Sequence, residues 1–271
     1  MKRIILKIAY DGTNYVGWQI QKNGIAVEKV INEHLSKLLK EDIVIIGASR
    51  TDSGVHARGN IAVFDTETKI PPEKISLALN QSLPSDIKIV SSKEVEADFH
   101  PRHRDCTKTY EYTFLNSRYA DPLKRLYAAY TYYELDIEKM KEASKFLIGE
   151  HDFTAFSSAG GQQLSSIRTI NWIKIEEEKL NKSFDENGNL TDLKEENKDE
   201  HFFEPKLVKI TVNGNGFLYN MVRIIAGTLM KVGQNVYPPE YVKEILDSKD
   251  RALSAPKAPA EGLTLLEIKY C

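Results

Sequence analysis

The spacing of apolar positions divides the chain into alternating strands and helices. Ile4 to Tyr10 is dense in β-forming residues and stops at the turn sequence DGTN. In VEKVINEHLSKLLK, residues Val27, Val30, Ile31, Leu35, Leu38 and Leu39 share one helical face, and His34 sits at its edge as a partnered packing histidine. DIVIIGAS reads as a buried strand entering a loop, and NIAVFDTE as the strand that leaves it. PPEKISLALNQSL predicts a helix whose first turn admits Pro-Pro, and DIKIVSSKEV a strand. TKTYEYTFLN is a strand with Tyr110, Tyr112 and Phe114 on one face. An amphipathic helix in DIEKMKEASKFLIGEHDF should end near Gly149. Strands follow in IRTINWIKIEEE and KLVKITVNGNGF, then helices in YNMVRIIAGTLMKVG and PPEYVKEILDS, the latter again starting at Pro-Pro, and a last strand in LTLLEIKY. No short repeat occurs, but strands and helices recur in coarse order on either side of about residue 105. The expected architecture is two α+β domains, 1–104 and 105–271, the first carrying the loop after DIVIIGAS.

Composition narrows the class without naming a chemistry. The 271 residues leave room for one large domain or two smaller ones, and 41% hydrophobic with 28% charged residues is ordinary for a soluble protein. The N-terminal apolar run is too short for a signal-peptide core or a membrane span, so a cytoplasmic address is expected and no membrane partner. Cys106 and Cys271 offer no disulfide framework, as suits a reducing compartment. The overall charge of −2 is uneven: residues 176–204 carry −7, which leaves the rest at +5. That acidic stretch, about 179–203, reads as a long hairpin insertion or a partly disordered loop. A basic body with an acidic appendage is compatible with a polyanionic partner, and equally with a solvated surface and a charged loop.

The loop GASRTDSGVHARGN (47–60) is where chemistry concentrates. Gly54 suggests a positive φ or a close approach. Asp52 could cap a turn, but Arg50 projects from the same face of an extended strand end and can hold its carboxylate ionised and oriented. A fixed carboxylate serves as nucleophile or base. A Ser-His-Asp reading of Asp52, Ser53 and His56 is weak, since neighbours on one loop rarely converge on a proton path. His100, His103 and Cys106 in HPRHRDC lack a fourth zinc ligand and stand beside two arginines. NGNGF fails the dinucleotide-binding spacing. Arg223 lies within apolar MVRIIAG, where it either meets an anion or snorkels from the helix edge. Tyr110 and Tyr112 are sheet-packing residues or base-stacking ones, and spacing alone leaves both open.

Taken together, YDGTNYVGWQIQ (10–21), SRTDSGVHARGNIAVF (49–64), FHPRHRDCTKTYEYTFLN (99–116), GEHDFTAFSS (149–158), GNGFLYNMVRIIAGTLMKVG (214–233) and GLTLLEIKY (262–270) resemble the TruA family of tRNA pseudouridine synthases, in family order along essentially the whole chain. The resemblance implies a pseudouridine synthase fold: α+β, two similar halves with mixed, mostly antiparallel sheets flanked by helices, and a central active-site cleft. It implies isomerisation of uridine to pseudouridine in the anticodon stem-loop of tRNA, by a homodimer, with no cofactor and no metal. On the family's motifs the catalytic aspartate falls on Asp52, its arginine on Arg50, the active-site tyrosine on Tyr110 and the M-V-R arginine on Arg223. His56, Arg58, Arg102, Arg104, Lys108, Trp18 and Gln19 are the candidate RNA contacts. Ser49 departs from the glycine that many members carry, and the acidic insertion is longer than the family pattern leads one to expect.

Overall fold

Ile4, Leu6 and Ile8, all fully buried, make β1 (Lys2–Tyr10) a core strand. The computed structural model describes residues 1–161, 164–180, 182–184, 190–192 and 204–271. After β1 come α1 (Val27–Leu39), β2 (Ile46–Gly47), β3 (His56–Thr66), α2 (Pro72–Asn80), β4 (Ile87–Val95) and β5 (Cys106–Asn116). They are followed by β6 (Ala129–Thr131), α3 (Ile137–Ser144), β7 (Gly149–Asp152), β8 (Ile167–Lys179), β9 (Lys182–Phe184) and β10 (Leu190–Asp192). The chain ends with β11 (Lys206–Gly214), α4 (Met221–Gly233), α5 (Tyr241–Ser248) and β12 (Leu263–Tyr270). The class is α+β, with mixed, mostly antiparallel sheet flanked by helices.

These elements form two compact units. One comprises Met1–Tyr110, Asn213–Gly216 and Leu263–Cys271; the other Glu111–Val212 and Phe217–Gly262. In the first unit the strand order is β4, β1, β3, β12, then the start of β5. β1 runs antiparallel to both β3 and β4, whereas β12 lies parallel to β3 through Thr264↔His56 and Leu265↔Ala57. The β1–β3 register breaks between Ile8↔Asn60 and Tyr10↔Ala57, so three steps on β3 face two on β1. Such a bulge bends the strand just after the loop. Helix α1 turns Val27, Ile31, Leu35 and Leu39 inward, with Val30 and Leu38 half-buried at the stripe's edges. His34 is partnered by the Ser82 hydroxyl, 3.1 Å from its Nδ1.

In the second unit the order is β5, β11, β8, β7, with β6 parallel to β5. Helix α3 packs against α4, α5 and β8. Its N-cap is Asp136, whose carboxylate accepts the Lys139 N–H at 3.1 Å. Every residue of α4 from Met221 to Leu229 is buried, the all-round burial that an apolar helix requires.

Three expectations need correcting. The strand expected across DIVIIGAS shrinks to Ile46–Gly47, because the Ile43 and Ile45 N–H groups donate to the Ser36 hydroxyl (2.9 Å) and the Asn32 side-chain carbonyl (3.0 Å) of α1 instead of to a strand. Helix α3 stops at Ser144 and passes through a 3₁₀ turn, Lys145–Leu147, before Gly149 at φ +109° opens β7. The 238–248 helix starts after, not at, Pro238-Pro239, whose carbonyls accept from Tyr241 and Val242. Within the acidic stretch, β9 and β10 pair antiparallel; residues 181, 185–189 and 193–203 lie outside the described residues.

Candidate active site

The 47–55 loop runs from β2 to β3, and much of its backbone is held by a side chain or by a neighbouring segment. The Ala48 N–H donates to the Ile61 carbonyl at 2.7 Å. Arg102 Nε donates to the Gly47 carbonyl (2.7 Å), Lys108 Nζ to that of Ala48 (3.2 Å) and Asn60 Nδ2 to that of Ser49 (3.1 Å). The Trp18 N–H takes the Thr51 carbonyl at 3.0 Å, and the Thr51 hydroxyl lies 2.6 Å from the Tyr10 phenol. The Val55 N–H closes the turn on the Asp52 carbonyl at 3.1 Å.

The segment after β1 is shaped to support this loop. Gly17 has φ +104°, and a Cβ there would stand 2.6 Å from the Thr51 carbonyl oxygen, so only glycine allows the contact. Gly54, at φ +78°, makes the turn and donates its N–H to Tyr15 (3.3 Å). The segment is fixed in turn by α1, whose Val27 and Glu28 N–H groups donate to the Gly17 and Trp18 carbonyls.

On this frame Asp52 is half-buried, and its charge acts on Tyr110. Tyr110 is buried at the end of the first unit, with its hydroxyl 2.9 Å from Ser49 Oγ. Burial pushes its phenol up to about 12; the Ser49 hydrogen bond pulls the other way, and Asp52 adds to the rise. The phenol is therefore neutral at physiological pH. Arg50 is exposed, and its charge helps to lower Arg102, where desolvation acts first and Glu28 opposes. Two guanidinium groups thus stand near enough to repel, an arrangement that an anion would relieve.

The remaining candidates separate into surface and interior. Gln19 and Arg58 are exposed. Arg104 is exposed and pairs with Glu96 (3.2 Å) and Asp98 (3.4 Å). Arg102 and Lys108 spend a donor each on the loop backbone. Trp18 is a correction: with no exposed surface it presents nothing to an RNA, and it packs instead against Tyr10 and Gly47. His56 is also buried; the Gly12 N–H donates to its Nδ1 at 3.0 Å, and Asp11 Oδ1 lies 3.1 Å from the same nitrogen. Ser53 meanwhile donates to the Tyr15 carbonyl at 3.3 Å, so these contacts hold the loop and do not form a Ser-His-Asp relay. His100 and His103 stack at 3.9 Å, and among the described residues no group of three or more His, Cys, Asp or Glu is gathered as a metal would require.

In the second unit, Arg223 is buried on α4 rather than snorkelling. Its Nε donates to the Ala258 carbonyl (2.8 Å) and its Nη1 to Asn220 Oδ1 (3.1 Å), which desolvates the cation without stranding it. Tyr112 donates to the Pro259 carbonyl at 2.7 Å, so it is a packing tyrosine with a satisfied hydroxyl.

Sequence reasoning missed Ser49, Asn60, Tyr10 and Thr51 as parts of the site. Ser49 draws notice in the sequence only as a departure from the family's glycine, and Asn60 leaves a trace as an amide standing at the head of the apolar run IAVF. Chemically, the loop offers a half-buried carboxylate, a neutral phenol beside it and a cationic rim.

A family model described as tRNA pseudouridine synthase matches residues 7–103 and 143–271. Among relatives, tRNA pseudouridine synthase A 2 of Clostridium perfringens is 43% identical over 270 residues, covering 100% of both chains. The tRNA pseudouridine synthase A proteins of Thermoanaerobacter sp. (43%) and Clostridium kluyveri (44%) also cover 100% of both chains. A match of that length, running through the Asp52 loop, β5 and α4, leaves one assignment: the chain belongs to the tRNA pseudouridine synthase family.

Proposed function

We propose that this protein isomerises uridine to pseudouridine in the anticodon stem-loop of tRNA, with Asp52 as the reactive carboxylate. The observation that carries this reading is the half-buried Asp52 on a braced loop whose Ser49 hydroxyl lies 2.9 Å from the buried, neutral phenol of Tyr110 on β5. The reaction breaks the bond from ribose C1′ to uracil N1, turns the uracil and joins C5 to C1′, while C5 loses a proton and N1 gains one. It consumes no redox equivalent and no group donor, so neither a cofactor nor a metal is needed. The target uridine must leave its stack to reach a half-buried carboxylate, at a cost of roughly a few kcal/mol. Tyr110 is suited to stack on the extruded base and to assist at C5. Arg50 is suited to keep Asp52 anionic.

The exposed Arg50, Arg58, Arg102, Arg104 and Gln19 are the RNA contacts in this reading, with phosphate neutralisation as the main source of affinity. The +5 charge of the chain outside residues 176–204 supports it. A homodimer and a cytoplasmic location complete the proposal. Among the described residues no helix is long and apolar enough to cross a membrane.

The test is tritium release from C5-labelled uridine in an unmodified tRNA transcript, with EDTA present, for the native protein and Asp52→Asn. Release by the native protein and none by the variant is the expected result. No release by the native protein from tRNA would overturn the substrate assignment, and equal release by both would overturn the role of Asp52.

A further inference from the structure

We propose that Ser49 is a positioning residue for Tyr110: its hydroxyl fixes the direction of the phenol O–H and the seat of the ring beside Asp52. The inference rests on the functional reading above and adds a residue to it. Its geometric basis is a buried pair of hydroxyls, Ser49 Oγ and Tyr110 Oη, 2.9 Å apart and 61 residues apart in sequence.

A serine hydroxyl can orient a partner only if its own backbone is fixed, and here it is fixed on both sides. Before Ser49, the Ala48 N–H is bonded to Ile61 and the Ala48 carbonyl to Lys108. At Ser49 itself, Asn60 holds the carbonyl at 3.1 Å. After it, the Thr51 carbonyl and hydroxyl are taken by the Trp18 N–H and the Tyr10 phenol. The Asn60 amide also makes a long, 3.4 Å approach to the Tyr10 phenol. A side chain locked in this way is preorganised, and its partner loses little freedom when a base arrives.

The pair constrains the chemistry open to Tyr110. A phenol has one proton and can donate in one direction at a time. Whichever of the two hydroxyls donates, the bond occupies one site on Tyr110 Oη and fixes the direction of the next. With glycine or alanine at position 49 the phenol would lose this partner. The Ser49 bond also opposes the rise that burial imposes on Tyr110, so removing it moves the phenol further up.

The experiment compares native protein, Ser49→Ala and Ser49→Thr by steady-state tritium release from tRNA, by thermal melting and by tyrosinate absorbance against pH, with Tyr110→Phe marking the Tyr110 ionisation. For Ser49→Ala we expect kcat to fall about three- to tenfold with KM changed less than about twofold, and the Tyr110 ionisation to move to higher pH. Ser49→Thr retains the hydroxyl and should restore most of kcat. A lowered melting temperature with native kcat and an unmoved Tyr110 ionisation would reduce Ser49 to a packing role and overturn the proposal. So would a Ser49→Thr variant that melts like the native protein yet is as slow as Ser49→Ala. Failure of the native protein to release tritium would instead overturn the functional reading, so the two failures are distinguishable.

Discussion

Asn60 is one of the residues that brace the reactive loop, and its removal has a calculable cost. It is fully buried on β3. Its Nδ2 donates to the Ser49 carbonyl at 3.1 Å, and its Oδ1 accepts the neighbouring Ile61 N–H at 2.9 Å. The 3.4 Å approach to the Tyr10 phenol is long and adds little. Asn60→Ala therefore strips a partner from one buried carbonyl and one buried N–H. A buried group left unsatisfied costs about 1–3 kcal/mol, so the pair should cost about 2–6 kcal/mol, a large share of a typical stability of about 5–15 kcal/mol. At about 2–4 °C per kcal/mol the melting temperature should fall by about 4–24 °C. Urea denaturation gives the same quantity from the shift in midpoint at constant slope. Activity adds a second reading: with the Ser49 carbonyl released, kcat for tRNA should fall more than KM rises. A melting temperature within about 1 °C of the native value would refute the claim that this amide braces the loop.

Two further outcomes follow from the packing and the charges. A Cβ at Gly47 would stand 2.4–2.7 Å from three atoms of the Trp18 indole, which is fully buried; Gly47→Ala should cost about 1–3 kcal/mol, read as a urea midpoint shift. Tyr10, Tyr15, Tyr110, Tyr112 and Tyr270 are all raised above ordinary tyrosine, chiefly by burial, and so ionise more readily in the unfolded chain. The stability they confer is complete below about pH 10 and is lost as pH rises through the folded values; Tyr110 sets a window from about 10 to about 12. Melting temperature should hold up to about pH 9 and then drop alongside tyrosinate absorbance; a flat profile through pH 11 would contradict the burial of these phenols.

Sequence reading found the loop because its composition is wrong for a core: Arg50, Asp52 and Gly54 interrupt two apolar runs, and glycine reports backbone geometry directly. It found β1, β3, β4, β5, β8, β11 and β12 because each strand carries its own apolar pattern. It failed where a hydrogen bond links residues remote in sequence. The Ile43 and Ile45 N–H groups look like strand donors until Asn32 and Ser36, four apart on one side of α1, take them. Trp18 stands among the candidate RNA contacts that the resemblance suggests, yet it is buried, because glycine at position 47, 29 residues later, leaves space for the indole.

The supports of the loop share a logic that local pattern could not reveal. Arg102, Lys108, Asn60 and the Trp18 N–H all bind carbonyl oxygens, so the fold grips this loop chiefly by its main chain. Main-chain anchoring makes the brace indifferent to which side chains stand at positions 49, 50 and 52. A serine can therefore occupy position 49 without disturbing the loop that carries Asp52. The same rigidity makes its hydroxyl useful to Tyr110, because an oxygen held still by its own backbone can direct a neighbour, and one on a mobile loop cannot.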